Sequence, residues 1–479
     1  MIGRFKHNRG RMPVEAKSAL AFAIASVVIK GIAFITTPVF TRIMSIEQYG
    51  ILSVYNSWSA IIEVFALLGL TSAGVFNTGL NDYQDRRDKF ISSVLILCNI
   101  QTILVFTILF TLKFIIGPDF ILPYNLLIVM FIHFIFNPAQ IFWITRQRYE
   151  YKYKLATVIT IATSILSQVI AVLCICNISV ENSAEVKIWS STLAGLIVAL
   201  PIYILLLNKG RCIFDRNIWK EILAFAIPLI PHYLAQHIMS SADRIMISDM
   251  VSEKDAAIYS LASTVSLIAT VIWGAIHATL TPYIFDKLNK QKHRSIDKTV
   301  FSVAQGYAIV CLGVSLVAPE AIKILGTSDY YAGIYAIPPI AATAFLTAFY
   351  NIYATIEFYH KKSKFITIST VIATVINVVL NGIFIPQYGF IAAAYTTLIS
   401  YVFLVLMHYA GYRRCSADRI YNDRNFLLLA MFCVLGCGMC NLLYLNTVVR
   451  FIVIGVFVVT SSIVGIRKLK NSQKQKESE

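Results

Sequence analysis

The stretch DRRDKFISSVLILCNIQTILVFTILFTLKFII, residues 85–116, reads as a membrane span with its orientation attached. Arg86, Arg87 and Lys89 precede an apolar run from 90 to 116. At about 1.5 Å per residue, that run is long enough to cross a hydrocarbon core of about 30 Å as a helix. Basic residues collect on the cytoplasmic side of such spans, so this connection is expected to face the cytoplasm.

The same unit recurs along the chain. Comparable apolar stretches fall near 18–43, 50–76, 90–116, 123–144, 155–178, 188–207, 221–248, 256–285, 298–318, 334–358, 365–385, 390–410, 426–445 and 449–466, about fourteen in all. Lys and Arg gather in every second connection: the tail 1–17, the segments near 77–89, 146–154, 208–220, 286–298, 359–364 and 411–425, and the tail after Ile466. These hold 33 of the 41 basic residues, which places both termini in the cytoplasm. Helices are required, because backbone groups in hydrocarbon must be paired within the segment and the runs are too long and uniformly apolar for barrel strands.

Composition agrees. With 57% hydrophobic and 14% charged residues over 479, the chain is an integral membrane protein. The net charge of +16 follows from basic cytoplasmic loops beside anionic lipid and does not call for nucleic acid. Met1 to Lys17 leads into the first span without a small-residue cleavage site and reads as a first helix, not a removed signal. The connections are too short for a soluble catalytic domain, and no nucleotide-binding glycine loop or nucleophile motif occurs, so the expected protein is not an enzyme. Cys433, Cys437 and Cys440 share a helical face that could attract a soft metal, but no histidine or carboxylate accompanies them in that span. No metal or cofactor is expected.

Weak internal similarity suggests two equivalent bundles. Gln48-Tyr49-Gly50 after the first span and Gln387-Tyr388-Gly389 after the eleventh read as matching turns. Arg42-Ile43-Met44 with Tyr49-Gly50 resembles Arg244-Ile245-Met246 with Tyr259-Ser260, with wider spacing. The expected organisation is a tail 1–17, helices 1–6 over 18–210, helices 7–12 over 211–412, two further helices over 413–466, and a tail 467–479. Pro38, Pro138, Pro201, Pro228, Pro231, Pro282 and Pro338-Pro339 are expected to bend or loosen their helices.

Thr37-Pro38-Val39-Phe40-Thr41-Arg42 leading to Glu47-Gln48-Tyr49-Gly50 and Ala66-Leu67-Leu68-Gly69-Leu70 resembles the opening of Wzx-type flippases of the MATE-like superfamily. Ala226-Ile227-Pro228-Leu229 through Ala242-Asp243-Arg244, then Ala257-Ile258-Tyr259-Ser260, and Asn381-Gly382 through Gly389 extend the resemblance over nearly the whole chain. The resemblance implies an all-α membrane fold of two six-helix lobes in a V around a central cavity, plus two C-terminal helices. It also implies the cargo, an undecaprenyl-diphosphate-linked oligosaccharide of O-antigen, capsule or exopolysaccharide, carried to the periplasmic leaflet of the bacterial inner membrane. A glycan polymerase and a chain-length regulator would be the partners. Ala257 and Ile258 stand where the family usually has glycine before tyrosine.

An uncompensated charge in hydrocarbon costs several kcal/mol, so a hydrated cationic passage would ease such cargo across. Lys30 and Glu63 lie at matching depth, about 20 Å below the first turn, and are expected either to pair or to line a cavity. Arg42 and Arg244 would be equivalent residues of opposite lobes, suited to diphosphate by forked hydrogen bonding or else snorkelling to headgroups. Asp243 and Arg244, adjacent on a helix, point apart and are not expected to pair; Asp243 joins Glu63 as a candidate for ion coupling or charge pairing. His133, His232, His237 and His277 lie within spans, and His277, beside Trp273, is the one assigned to substrate. A cation-coupled multidrug exporter and a membrane glycan polymerase are the competing readings. The first would favour acidic lobes, and the second would need a long periplasmic loop.

Overall fold

A computed structural model describes residues 14–71, 73–416 and 419–460. Most of the two expected tails and the end of the fourteenth span lie outside these residues. The described chain is helical, with no strand among its described residues. Twelve helices are long and apolar enough to cross a membrane, so this is a multi-pass membrane protein. The contacts divide the chain into two compact units, Met1–His237 and Ile238–Glu479.

The first unit holds α1 (Val14–Ile43), α2 (Ile46–Ala66), α3 (Ala73–Asp82), α4 (Arg87–Ile116), α5 (Tyr124–Tyr149), α6 (Tyr153–Asn177), α7 (Ser183–Gly210) and α8 (Arg216–Ala226). A 3-10 turn, Ile227–Leu229, passes α8 into α9 (Ile230–Met250), which crosses the division. The second unit continues with α10 (Glu253–Asn289), α11 (His293–Leu316), α12 (Ala318–Leu325), α13 (Ile337–Tyr359), α14 (Ser363–Tyr388), α15 (Phe390–Cys415), α16 (Asp423–Leu443) and α17 (Thr447–Thr460). α2 and α17 occupy the positions of the second and fourteenth expected spans but are not among the twelve.

Lipid and protein faces separate by burial. α13 is the most buried candidate span of its unit, whereas in α6 only Ala156, Ala171 and Ile175 are fully buried. Near the ends of α4 and α5, Arg146 reaches both Asp88 and Glu150, the latter at 2.9 Å, and Lys152 adds a bond to Glu150 at 2.6 Å.

Three sequence expectations change. The second span is not one helix from 50 to 76: α2 stops at Ala66, Leu68 and Gly69 take positive φ of 54° and 64°, and α3 starts at Ala73. A Cβ on Gly69 would sit 2.7 Å from the Tyr233 ring, so both the backbone angle and the space require glycine. Second, the two Gln-Tyr-Gly segments are not matching turns. Gln48, Tyr49 and Gly50 lie in the opening of α2 behind the Ser45 cap, while Tyr388 ends α14 and Gly389, at φ 65°, makes the turn itself. Third, Pro338 and Pro339 bend nothing, because they occupy the first turn of α13, where the missing N–H has no partner to lose.

Candidate functional site

The second unit gathers its polar side chains around one carboxylate. Gly389 alone joins α14 to α15, so Asn381 and Thr397, equally far from it along their helices, meet at one depth, about 12 Å below the turn. Asp243 lies at a similar distance from the end of α9, and Tyr259 from the start of α10. The four converge. Asp243 accepts hydrogen bonds from Tyr259 Oη at 2.5 Å, Asn381 Nδ2 at 2.7 Å and Thr397 Oγ1 at 2.9 Å, and only 3% of it is exposed. Thr396 Oγ1 in turn donates to Asn381 Oδ1, and Asn377 Nδ2 donates to Thr397 Oγ1 at 3.0 Å.

Arg244 does not join this cluster. Its Nε donates to Ser260 Oγ at 3.1 Å and its Nη1 to the Ser240 carbonyl at 2.8 Å. Asp243 and Arg244 therefore point apart, as helical geometry requires of neighbours. Arg42 makes the same backward bond in the first unit, Nη1 to the Pro38 carbonyl at 2.8 Å. The two arginines thus share this backward bond but not their position: Arg42 lies in the last turn of α1, whereas Arg244 lies further inside α9, before its last turn.

Lys30 and Glu63 do not pair. Glu63 instead accepts from Thr71 Oγ1 at 3.1 Å. Lys30 is exposed on α1. Counting residues along two helices says nothing of the angle around each, and the break after α2 brings Thr71 back onto Glu63. His277 stacks on Trp273 at 5.8 Å and lies 3.3 Å from Thr281 Oγ1 of its own helix, and its contact with Thr355 Oγ1 at 3.4 Å links α10 to α13.

Sequence reasoning missed a buried histidine–glutamate pair. His408 Nδ1 on α15 lies 2.8 Å from Glu357 Oε2 on α13, with both side chains fully buried and Tyr350 stacked on the imidazole at 5.4 Å. Glu357 Oε1 and His408 Nε2 have no protein partner. Glu357 is the last acidic residue before a basic connection, which hid it at a span end. Asn377 and Asn381 carried a better signal, since amides four residues apart in an apolar helix share one face. No group of three His, Cys, Asp or Glu able to hold a metal occurs among the described residues, and Cys433, Cys437 and Cys440 are buried free thiols.

Residues 16–288 match the family model described as polysaccharide biosynthesis protein. The chain belongs to this family. Two Haemophilus influenzae proteins are similar to this family member: an uncharacterized membrane protein, 22% identical over 371 residues covering 75% of this chain and 88% of the relative, and "Lsg locus putative protein 1", 22% identical over 375 residues covering 76% and 89%. Among solved structures, the lipid II flippase MurJ in an inward closed conformation superposes with a TM-score of 0.67 at 16% identity, covering 93% of this chain and 98% of that one. An inward-facing multidrug resistance MATE transporter of the MOP superfamily gives 0.59 at 15% identity, covering 84% and 98%. The chain thus has the fold of these transporters.

Proposed function

We propose that this protein flips polyprenyl-diphosphate-linked oligosaccharide units, destined for O-antigen, capsule or exopolysaccharide, from the cytoplasmic to the periplasmic leaflet of a bacterial inner membrane by alternating access. Both termini are in the cytoplasm on this reading, and the chain performs no covalent chemistry. The observation that carries it is the polysaccharide-biosynthesis family match over residues 16–288 on a chain with the fold of a lipid II flippase. The first supports the cargo class and the second the kind of movement.

The cargo sets the physical demand. A diphosphate in hydrocarbon needs compensating charge, and guanidinium forks supply it with two parallel hydrogen bonds. Arg42 and Arg244, which share the same backward bond, are assigned to the diphosphate, with Lys30 as a further cation and His277 beside the aromatic face of Trp273 for the glycan. Asp243 is assigned to coupling. A carboxylate held by three neutral donors can exchange those donors for a proton or a small hard cation, and either would change which helices it ties together. Glu63, held by Thr71, is the corresponding acidic group of the first unit. Glycan polymerase and chain-length regulator act on the delivered units.

The multidrug-exporter reading shares the fold and is supported by the MATE neighbours, so the test separates the two. In a strain lacking the gene, polyprenyl-linked units should build up on the cytoplasmic leaflet and return to normal on complementation. A loss of dye resistance without that accumulation would favour the exporter. Unpolymerised units collecting on the outer leaflet would favour a polymerase.

A further inference from the structure

In the first unit, away from the residues assigned so far, α1, α2, α5, α6 and α7 line a partly open cavity of about 540 Å³. That volume is in the range of small-molecule sites. Its lining is polar although it lies between membrane-spanning helices: Asn56, Ser59, Asn137, Ser167, Gln168 and Ser191 all face it. None of the six donates to or accepts from another side chain or the backbone, so their hydrogen-bonding capacity is directed at whatever fills the space.

The lining carries one formal charge. Lys187 on α7 is a wall residue, and the wall contains no Asp or Glu. The Lys187 ammonium lies 3.2 Å from the centre of the Phe40 ring and forms no ion pair with a described carboxylate. A cation kept between spans without a counter-ion is costly unless an anion visits it. Phosphate is recognised by Arg forks or several backbone amides, and this wall has one ammonium among hydroxyls and amides. That set matches a monoanion rich in hydroxyl groups, and Tyr55 in the same wall supplies a face for a pyranose ring.

We propose that this cavity receives a carboxylated sugar residue of the cargo glycan, with Lys187 binding the carboxylate and the amides and hydroxyls binding the ring. The proposal rests on the flippase reading for its cargo and assigns that cargo an acidic sugar. Binding is measured on the full-length protein in lipid nanodiscs with sodium glucuronate, glucose and sodium chloride as probes. Saturable glucuronate binding should weaken at least about tenfold in Lys187→Met, return in Lys187→Arg, and be absent for glucose. Ser191→Glu guards against misfolding, since it places a carboxylate one helical turn from Lys187 and should abolish glucuronate binding in a protein of unchanged melting temperature. Purified lipid-linked glycan should displace the bound glucuronate. No saturable glucuronate binding, equal competition by chloride, unchanged affinity in Lys187→Met, or failure of the lipid-linked glycan to compete would each overturn the proposal. None of these outcomes touches the leaflet-accumulation assay, so the pocket and the flippase reading fail separately.

Discussion

Replacing Asp243 by Ala removes the acceptor shared by Tyr259, Asn381 and Thr397. All three partners are buried, so no bulk water replaces the lost bonds. Interhelical hydrogen bonds in membrane proteins average about 0.6 kcal/mol each, and bonds to charged groups are worth about 1.5 kcal/mol or more, so three of them amount to about 2–5 kcal/mol. That is a large part of the stability of a typical fold. Asp243→Ala should therefore lower the thermal midpoint of detergent-solubilised protein, read by size-exclusion after a heating series, and abolish surface glycan. Asp243→Asn keeps the shape and one acceptor while removing the negative charge. It should retain most of the thermal stability yet still lose export, because coupling needs a group that can be charged. Wild-type glycan display from Asp243→Asn would refute the coupling role and leave the cluster purely structural. An unaltered midpoint in Asp243→Ala would refute the energetic account of the three bonds.

Lys30→Ala should stop glycan display while the protein remains in the membrane at normal abundance; unchanged display removes Lys30 from the cargo path. Reporter fusions after Lys89 and Lys220 should read as cytoplasmic, and a periplasmic signal at either would break the assigned orientation. Gly411→Ala places a Cβ 1.9 Å from Glu357 Oε1 and 2.4 Å from the Phe365 ring, so overpacking should cost about 1–3 kcal/mol and lower the thermal midpoint. A stable Gly411→Ala protein would mean that α13 and α15 can separate there.

Membrane class, helical architecture and most span positions could be read directly, because hydrocarbon imposes length and apolarity on every crossing segment. The break after α2 could not. Leu67, Leu68 and Leu70 are as apolar as any helix interior, and what ends the helix is the pair of positive-φ residues Leu68 and Gly69, the latter packed on Tyr233, far away in sequence. Individual charges were legible for the same reason that spans were: Lys30, Glu63 and Asp243 stand out against lipid. Their partners were not. Glu63 was matched to Lys30 by depth, yet Thr71 takes it, and Asp243 was a lone candidate whose three donors come from α10, α14 and α15. Depth follows from counting residues, whereas the rotation of one helix against its neighbours depends on packing that no single segment encodes.

The Asp243 cluster and the Lys187 pocket treat their polar groups differently, and this bears on how one chain could both hold a cargo and respond to an ion. Around Asp243 every named donor has a protein acceptor, so the cluster is complete only while its carboxylate is in place, and a change in that group's charge must alter the hold between helices. Around Lys187 the donors and the cation point into a cavity and remain incomplete until something enters. A saturated network is poorly suited to recognising a variable glycan, and an open one is poorly suited to switching on a single proton or cation. On this reasoning the Asp243 cluster is suited to sensing charge and the Lys187 pocket to selecting cargo. The separation is testable: Asp243→Asn should leave glucuronate affinity intact while abolishing export, and Lys187→Met should lose glucuronate affinity while still exporting a glycan without acidic sugars.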